Sequence, residues 1–534
     1  MNRLQPPPSH LVPRVLLLCL GYALLLLWTG GGSALNGLAM VAGTLPVSPE
    51  GGDAIHVLLP RTIRSFVLIL LAMGIGFSFA LAAALAASHL GGRAMRIAGW
   101  LGRSMAGVPP MGWAMGALVL ILRTWHLPVE TLFPHETPSE LNTSQVTLAR
   151  VLWRWLAPAL VLALPVFGSA FFSLTHRLSA LLQSPGRVTL KARGMGGGWI
   201  AHRHFAPLLE VQIARMARPA AAVLLCFVIP VEEIFGFDGW GRFLAARLST
   251  SGTHTLDLAT AMWSGAWMMA ALLLLAGLPD RRGLPPSFED INDHGQRHSM
   301  ASVIMGTVLL LFLLFPFSPE RGELMASHGL WLREVPRALT AALGALGMVL
   351  LGVPILLPSL RFRWFADGGI IASLAIAPLF LMLLLWEQIH VRSFLAVCVA
   401  LAMPGLAGLR AFFLSDTWSG IVDASRAVGE STFGLCHRHL LRLALPGLAN
   451  WTVRTAGMAL LLFSVLDFYD ESLLGSASPT WGSLMRAHHD ELLEHPALAL
   501  GPALWIALWS LSFRLLSRAF RTETPQDRPS TFAP

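Results

Sequence analysis

Charge is scarce in this chain. Only 13% of its 534 residues are charged, against 54% that are hydrophobic, and the mean hydropathy is +0.62. A soluble domain needs about a quarter charged residues to cover its surface, so this is a membrane composition. Cysteine is sparse too. Cys19, Cys226, Cys398 and Cys436 are scattered, mostly within apolar runs, and no CxxC spacing occurs. Neither a disulfide framework nor a zinc site follows from that distribution. Also missing is any G-x-x-x-x-G-K-[ST] sequence, and the glycine cluster at 194–198 lacks the lysine and hydroxyl that should follow it. The chain therefore cannot cradle ATP phosphates as a P-loop does. Energy for any work it performs comes from another polypeptide or from an ion gradient.

What is present is apolar sequence from end to end, with runs such as 15–28, 65–87, 156–172 and 303–317. With their flanks these approach or exceed the roughly 20 residues that cross a hydrocarbon core of about 30 Å. Spanning backbone must satisfy its own hydrogen bonds, and runs this long mean helices rather than barrel strands. The expected fold is an all-α polytopic membrane protein of about twelve transmembrane helices in two tandem six-helix halves. The spans fall near 14–30, 62–87, 98–121, 148–175, 208–232 and 257–278, then near 300–317, 336–359, 367–386, 391–413, 443–466 and 497–518. Arg3, Arg14, an apolar run and Gly30-Gly31-Gly32-Ser33-Ala34 have the makings of a cleaved signal peptide. The second half begins similarly at 300–317, which favours an uncleaved first span.

The formal net charge of +8 would suggest nucleic acid in a soluble protein. Here the excess arginine belongs in cytoplasmic loops, where it fixes topology. One set of loops holds Arg93, Arg96 and Arg103; Arg177, Arg187, Lys191, Arg193 and Arg203; Arg361 and Arg363; and Arg426, Arg438 and Arg442. The opposite set holds Glu50 and Asp53; Glu130, Glu136 and Glu140; Glu320 and Glu323; and Asp490, Glu491 and Glu494. Arg61, Arg64 and Arg337 are exceptions at outer helix ends. The asymmetry places both termini inside. The expected organisation is a first half at 1–279, a polar linker at 280–299 with Pro285-Pro286, Asp290, Asp293 and Arg297, a second half at 300–520, and a tail at 521–534.

Two loops repeat across the halves. Lys191-Ala192-Arg193-Gly194-Met195-Gly196 precedes His202-Arg203-His204, and Asp423-Ala424-Ser425-Arg426-Ala427-Val428-Gly429 precedes His437-Arg438-His439. The entry to the second span recurs as well, as Pro60-Arg61-Thr62 and Pro336-Arg337-Ala338, at a wider separation than the histidine triplets. The longer loop 124–145 of the first half accounts for part of that difference. The second repeated loop resembles the E-A-A-x-x-x-G loop of ABC-transporter permeases. Asp423-Ala424-Ser425 stands in the EAA position, Gly429 at the glycine, and Leu445-Pro446-Gly447 at the turn into the next span. The first loop matches less well: setting Gly196 against Gly429 puts Leu190 and Lys191 where the acid and first alanine belong, and leaves the loop two residues short.

In layout the chain is similar to the fused double-permease subfamily of ABC importers, which serves ferric iron, thiamine and similar solutes. The resemblance implies elbows at 185–206 and 416–442 that dock a pair of ATP-binding subunits through Ala192, Arg193, Gly196, Asp423, Ala424, Ser425 and Gly429. It further implies a periplasmic solute-binding protein as partner, a multi-pass place in the bacterial inner membrane, and no catalytic residue, cofactor or metal of its own.

Acids at membrane depth are costly and often functional. Glu232-Glu233 and the group Asp467, Asp470 and Glu471 lie at the outer ends of the fifth spans, and Glu233 and Glu471 are the expected pathway residues, since Phe235-Gly236 and Leu474-Gly475 follow them. His488, Glu491 and His495 have ligand-type side chains at helical spacing, although a solvated loop explains them more simply. The competing class is a major-facilitator secondary transporter. Its loop after the second span should carry an acid, which Ser88-His89-Leu90-Gly91-Gly92-Arg93 lacks.

Overall fold

The computed structural model describes residues 54–90, 112–117, 148–183, 185–196, 206–249, 327–356, 393–413, 427–429, 441–469, 479–488 and 495–517, with a few isolated positions between them. Among the described residues the chain is helical and has no strand. In order the principal helices are α1 (Ala54–Leu90), α2 (Leu148–Gln183), α3 (Pro185–Ala192), α4 (Ala206–Ile234), α5 (Trp240–Ser249), α6 (Trp331–Leu356), α7 (Ser393–Phe413), α8 (Leu441–Tyr469), α9 (Trp481–Ala487) and α10 (Pro496–Leu516). A 3-10 turn, His328–Leu330, leads into α6.

Among the described residues, five segments are long and apolar enough to cross a membrane: Leu58–Ala87, Trp155–Thr175, Trp331–Leu351, Gly447–Phe468 and Pro496–Leu516. The chain is a multi-pass helical membrane protein. Seven expected spans coincide with α1, α2, α4, α6, α7, α8 and α10. The expected spans 14–30, 98–121, 257–278, 300–317 and 367–386 lie wholly or largely outside the described residues, as do the linker and the tail.

Surface patterning agrees with a lipid environment. On α1, Leu59, Ile63, Val67 and Leu71 recur every fourth residue and are 52%, 51%, 43% and 38% exposed. An apolar stripe of that length is unfavourable against water and suits hydrocarbon. The opposite face buries Leu58, Ser65, Ile69, Ala72, Ala80, Ala84 and Ala87. Small residues there let helices approach closely, which is how membrane helices gain packing when lipid removes the hydrophobic drive between them. A Cβ on Gly76 would come within 2.9 Å of Val166 of α2, and one on Gly344 of α6 within 2.7 Å of the Cys398 sulfur of α7.

The contact pattern repeats. The pairs α1–α2, α1–α4 and α4–α5 in the first set correspond to α6–α7, α6–α8 and α8–α9 in the second. Helices α4 and α8 have the same length, and the shift in numbering that carries His202 onto His437 carries Ala206 onto Leu441 and Ile234 onto Tyr469. The two helices are therefore in register with the repeated triplets from first residue to last. Helix α5 also touches α8, so the first set meets the second there.

Candidate functional site

Two features sit at opposite ends of α4 and α8: an exposed elbow before the N-terminus, and a buried acid at the C-terminus.

The elbow begins with α3. Its last turn closes by hydrogen bonds from the Met195 N–H to the Leu190 carbonyl at 3.2 Å and from the Gly194 N–H to the Lys191 carbonyl at 2.9 Å. Gly194 has φ +78°. A helix ended by these two bonds around a left-handed residue favours glycine, since a side chain there meets the following carbonyl. Gly429 has the same φ, +78°. The interval from Gly194 to His202 equals that from Gly429 to His437. The backbone therefore sets Gly194, not Gly196, against Gly429. In this register the loops are equal in length, Lys191 matches Arg426, Ala192 matches Ala427, and Val188 stands where Asp423 does. Alignment on Gly196 left the loop two residues short; the spacing to the histidine triplet and the shared positive φ both favour Gly194.

Ala192, Arg193 and Gly196 are exposed. So are Val188 at 68% and Val428 at 87%, and open space surrounds both turn glycines. Asp423, Ala424 and Ser425 lie outside the described residues.

At the other end, Glu232 is fully buried. One carboxylate oxygen accepts from the Ser65 hydroxyl of α1 at 2.5 Å. The other accepts from the backbone N–H groups of Gly241 at 2.6 Å and Arg242 at 3.2 Å. Ser65 in turn accepts from the Trp240 N–H at 2.7 Å. Glu232 thus caps the N-terminus of α5, where unpaired N–H groups and the helix dipole favour a negative charge. Nearby, Asp238 pairs with Arg61 at 3.0 Å and Arg64 at 2.7 Å, with all three side chains partly exposed.

The second set builds the same corner with different chemistry. Asp467 is the counterpart of Glu232 in the numbering that matches the triplets. It is also fully buried, and it pairs with Arg337 at 3.0 Å. Arg337, the counterpart of Arg61, also lies 4.5 Å over the Phe463 ring and 3.8 Å from Glu334. Asp467 is one methylene shorter than Glu232, and here Thr480 caps α9 itself. Its hydroxyl accepts from the Ser483 N–H at 3.2 Å, and the Ser483 hydroxyl oxygen accepts from the Thr480 N–H at 2.9 Å. In the first set the corresponding position is Gly239, where a Cβ would overlap the Glu232 carboxylate.

Trp240-Gly241 opens α5 and Trp481-Gly482 opens α9, with both indoles buried. A Cβ on Gly241 would come within 2.7 Å of the Ile229 backbone, and one on Gly482 would overlap the Ser464 carbonyl. Ile229 precedes Glu232 by the interval that separates Ser464 from Asp467. Each glycine lets a short helix press against the long one a turn before the acid.

Glu233, the acid expected in the pathway, is exposed while its neighbour Glu232 turns inward. Glu471 lies outside the described residues. Burial could have been anticipated from helix phase: Ala221, Leu225, Val228 and Glu232 lie on one face, as do Ala456, Leu460, Phe463 and Asp467, and all eight are buried. His488 is the C-cap of α9 and His495 the N-cap of α10, while Glu491 lies outside the described residues. Among the described residues, no group of three or more His, Cys, Asp or Glu side chains converges to hold a metal ion.

No protein-family model matches the chain, and no curated protein or solved structure matches it significantly.

Proposed function

We propose that this chain is the membrane subunit of an ABC importer, with two six-helix halves that form the translocation pathway for a solute delivered by a periplasmic binding protein. The observation that carries this reading is the matched pair of exposed elbows. Gly194 and Gly429 share one backbone conformation, one spacing to the next helix, and one position ahead of helices of equal length. Two such knobs suit two copies of a nucleotide-driven subunit. A push on either elbow would travel along α4 or α8 to the corner that holds the buried acid, Glu232 or Asp467.

In this reading the elbows face the cytoplasm of a bacterial cell, with Ala192, Arg193, Asp423, Ala424, Ser425 and Gly429 forming the docking surface together with Gly194 and Gly196. The acid corners then lie toward the periplasm. Glu232 and Asp467 hold the corners together, leaving Glu233 and Glu471 as the acids there for the solute path. The chain itself is not an enzyme, since ATP hydrolysis belongs to its partner.

Crosslinking tests the reading. Single cysteines at Arg193 and Val428 should crosslink to the ATPase encoded beside this chain, with a yield that changes on ATP binding, whereas a cysteine at Leu59 should not. Solute uptake driven by an ion gradient in vesicles that lack any ATPase would overturn it.

A further inference from the structure

The corner built by Asp467 carries one charge too many. Glu334 and Asp467 are 3% and 0% exposed, and both approach the same guanidinium nitrogen of Arg337, at 3.8 Å and 3.0 Å. One cation cannot neutralise two carboxylates. Among the described residues, each also keeps a buried oxygen without a partner in hydrogen-bond geometry, Oε1 of Glu334 and Oδ1 of Asp467. The Thr480 hydroxyl beside α9 is the one neutral donor near Asp467 among the described residues, and its oxygen accepts from the Ser483 N–H. Besides Arg337, the charge acting on the pair is Arg333 of α6, which is exposed and attracts more weakly.

Packing does not require this acid. Leu58 of α1 holds the place before Arg61 that Glu334 holds before Arg337, one helical turn earlier, and is equally buried at 3%. The first set fills the position with leucine, while the second fills it with a carboxylate that has no complete set of partners. Buried carboxylates are tolerated when paired or neutralised, and an unpaired one is strongly disfavoured in a low-dielectric interior.

We propose that Glu334 and Asp467 hold a single proton between them, making the junction of α6, α8 and α9 a proton-binding site. One proton brings the group of two carboxylates and Arg337 to neutrality. It also turns one orphaned oxygen from a bare buried acceptor into a neutral carboxylic acid. The proton belongs to the pair rather than to either residue. The site stands independently of the importer reading.

Infrared spectroscopy on the purified chain in lipid nanodiscs tests this. At pH 7 the wild type should show a carboxylic-acid C=O band that shifts in D2O. Glu334→Gln and Asp467→Asn should each lower its intensity, because either change leaves one carboxylate with Arg337 to itself. Glu334→Leu should fold with an unchanged or higher Tm, as the leucine of the first set predicts. A wild-type spectrum with no D2O-sensitive carboxylic-acid band overturns the proposal, even if no variant folds. So does a band that survives unchanged in both variants. A Tm that rises with sodium or potassium in the wild type but not in Glu334→Leu also overturns it, by assigning the site to a metal cation.

Discussion

Gly239 leaves open the space that the Glu232 carboxylate occupies, and the two residues together do at α5 what Thr480 does alone at α9. The longer acid reaches the helix N-terminus only where the N-cap carries no side chain. Where the N-cap is threonine, the acid is shorter and turns to arginine instead.

That exchange predicts an asymmetric double mutant. Gly239→Thr should displace the Glu232 carboxylate from the α5 amides and lower stability by about 1–3 kcal/mol, the cost of leaving a buried acceptor unpaired. Adding Glu232→Asp should recover part of the loss by recreating the arrangement at α9. Thermal unfolding in detergent checks the order, and a double mutant no better than the single would contradict it.

Ser65 joins α1 to this corner by donating to Glu232 and accepting from Trp240. Ser65→Ala removes both bonds in a buried place, so a loss of about 1–3 kcal/mol is expected. By contrast, Asp238→Asn disrupts pairs that are partly exposed and should cost under about 1 kcal/mol, shrinking further in high salt. Parallel unfolding curves at low and high salt distinguish the two cases.

Arg337→Met is expected to be the most damaging single change at the α8 corner. It strips two buried carboxylates of their shared cation, and breaking a buried pair costs about 3–5 kcal/mol. Removing charge on the other side, as Arg337→Met with Asp467→Asn, should restore much of the loss. Assembly yield and Tm of the single and double variants give the answer.

Gly194→Ala and Gly429→Ala should behave alike. Both glycines hold φ +78° in open space, so the cost is backbone strain without a clash, about 1–2 kcal/mol. If the elbows couple to a motor, both variants should also weaken stimulation of its ATPase. A marked difference between the two positions in unfolding would argue against the shared geometry.

Much of this was legible from sequence, and the reasons differ by feature. Helices α4 and α8 announce themselves through apolar length, and the constant offset between them was visible in His202 and His437. The elbow register was legible only in the spacing to the histidine triplets, which favours Gly194, and the matching φ of Gly194 and Gly429 supports it. Glu232 was overlooked beside Glu233 because adjacent acids look equivalent by composition, although the phase of Leu225 and Val228 separates them. The pairing of Arg337 with Asp467 joins helices far apart in the chain, and nothing local in either segment signals it. At the histidine cluster, His488 ends α9 and Pro496 starts α10, with Glu491 outside the described residues.

The longest helix sets a problem of fit. At about 1.5 Å per residue, the 37 residues of α1 make a rod of about 55 Å, against a hydrocarbon core of about 30 Å. Such a rod must lean steeply or stand several turns proud of the bilayer. Arg61 and Arg64 grip Asp238 near one tip, which ties that end to the turn between α4 and α5. The bilayer's own thickness thereby governs how far the rod leans or protrudes.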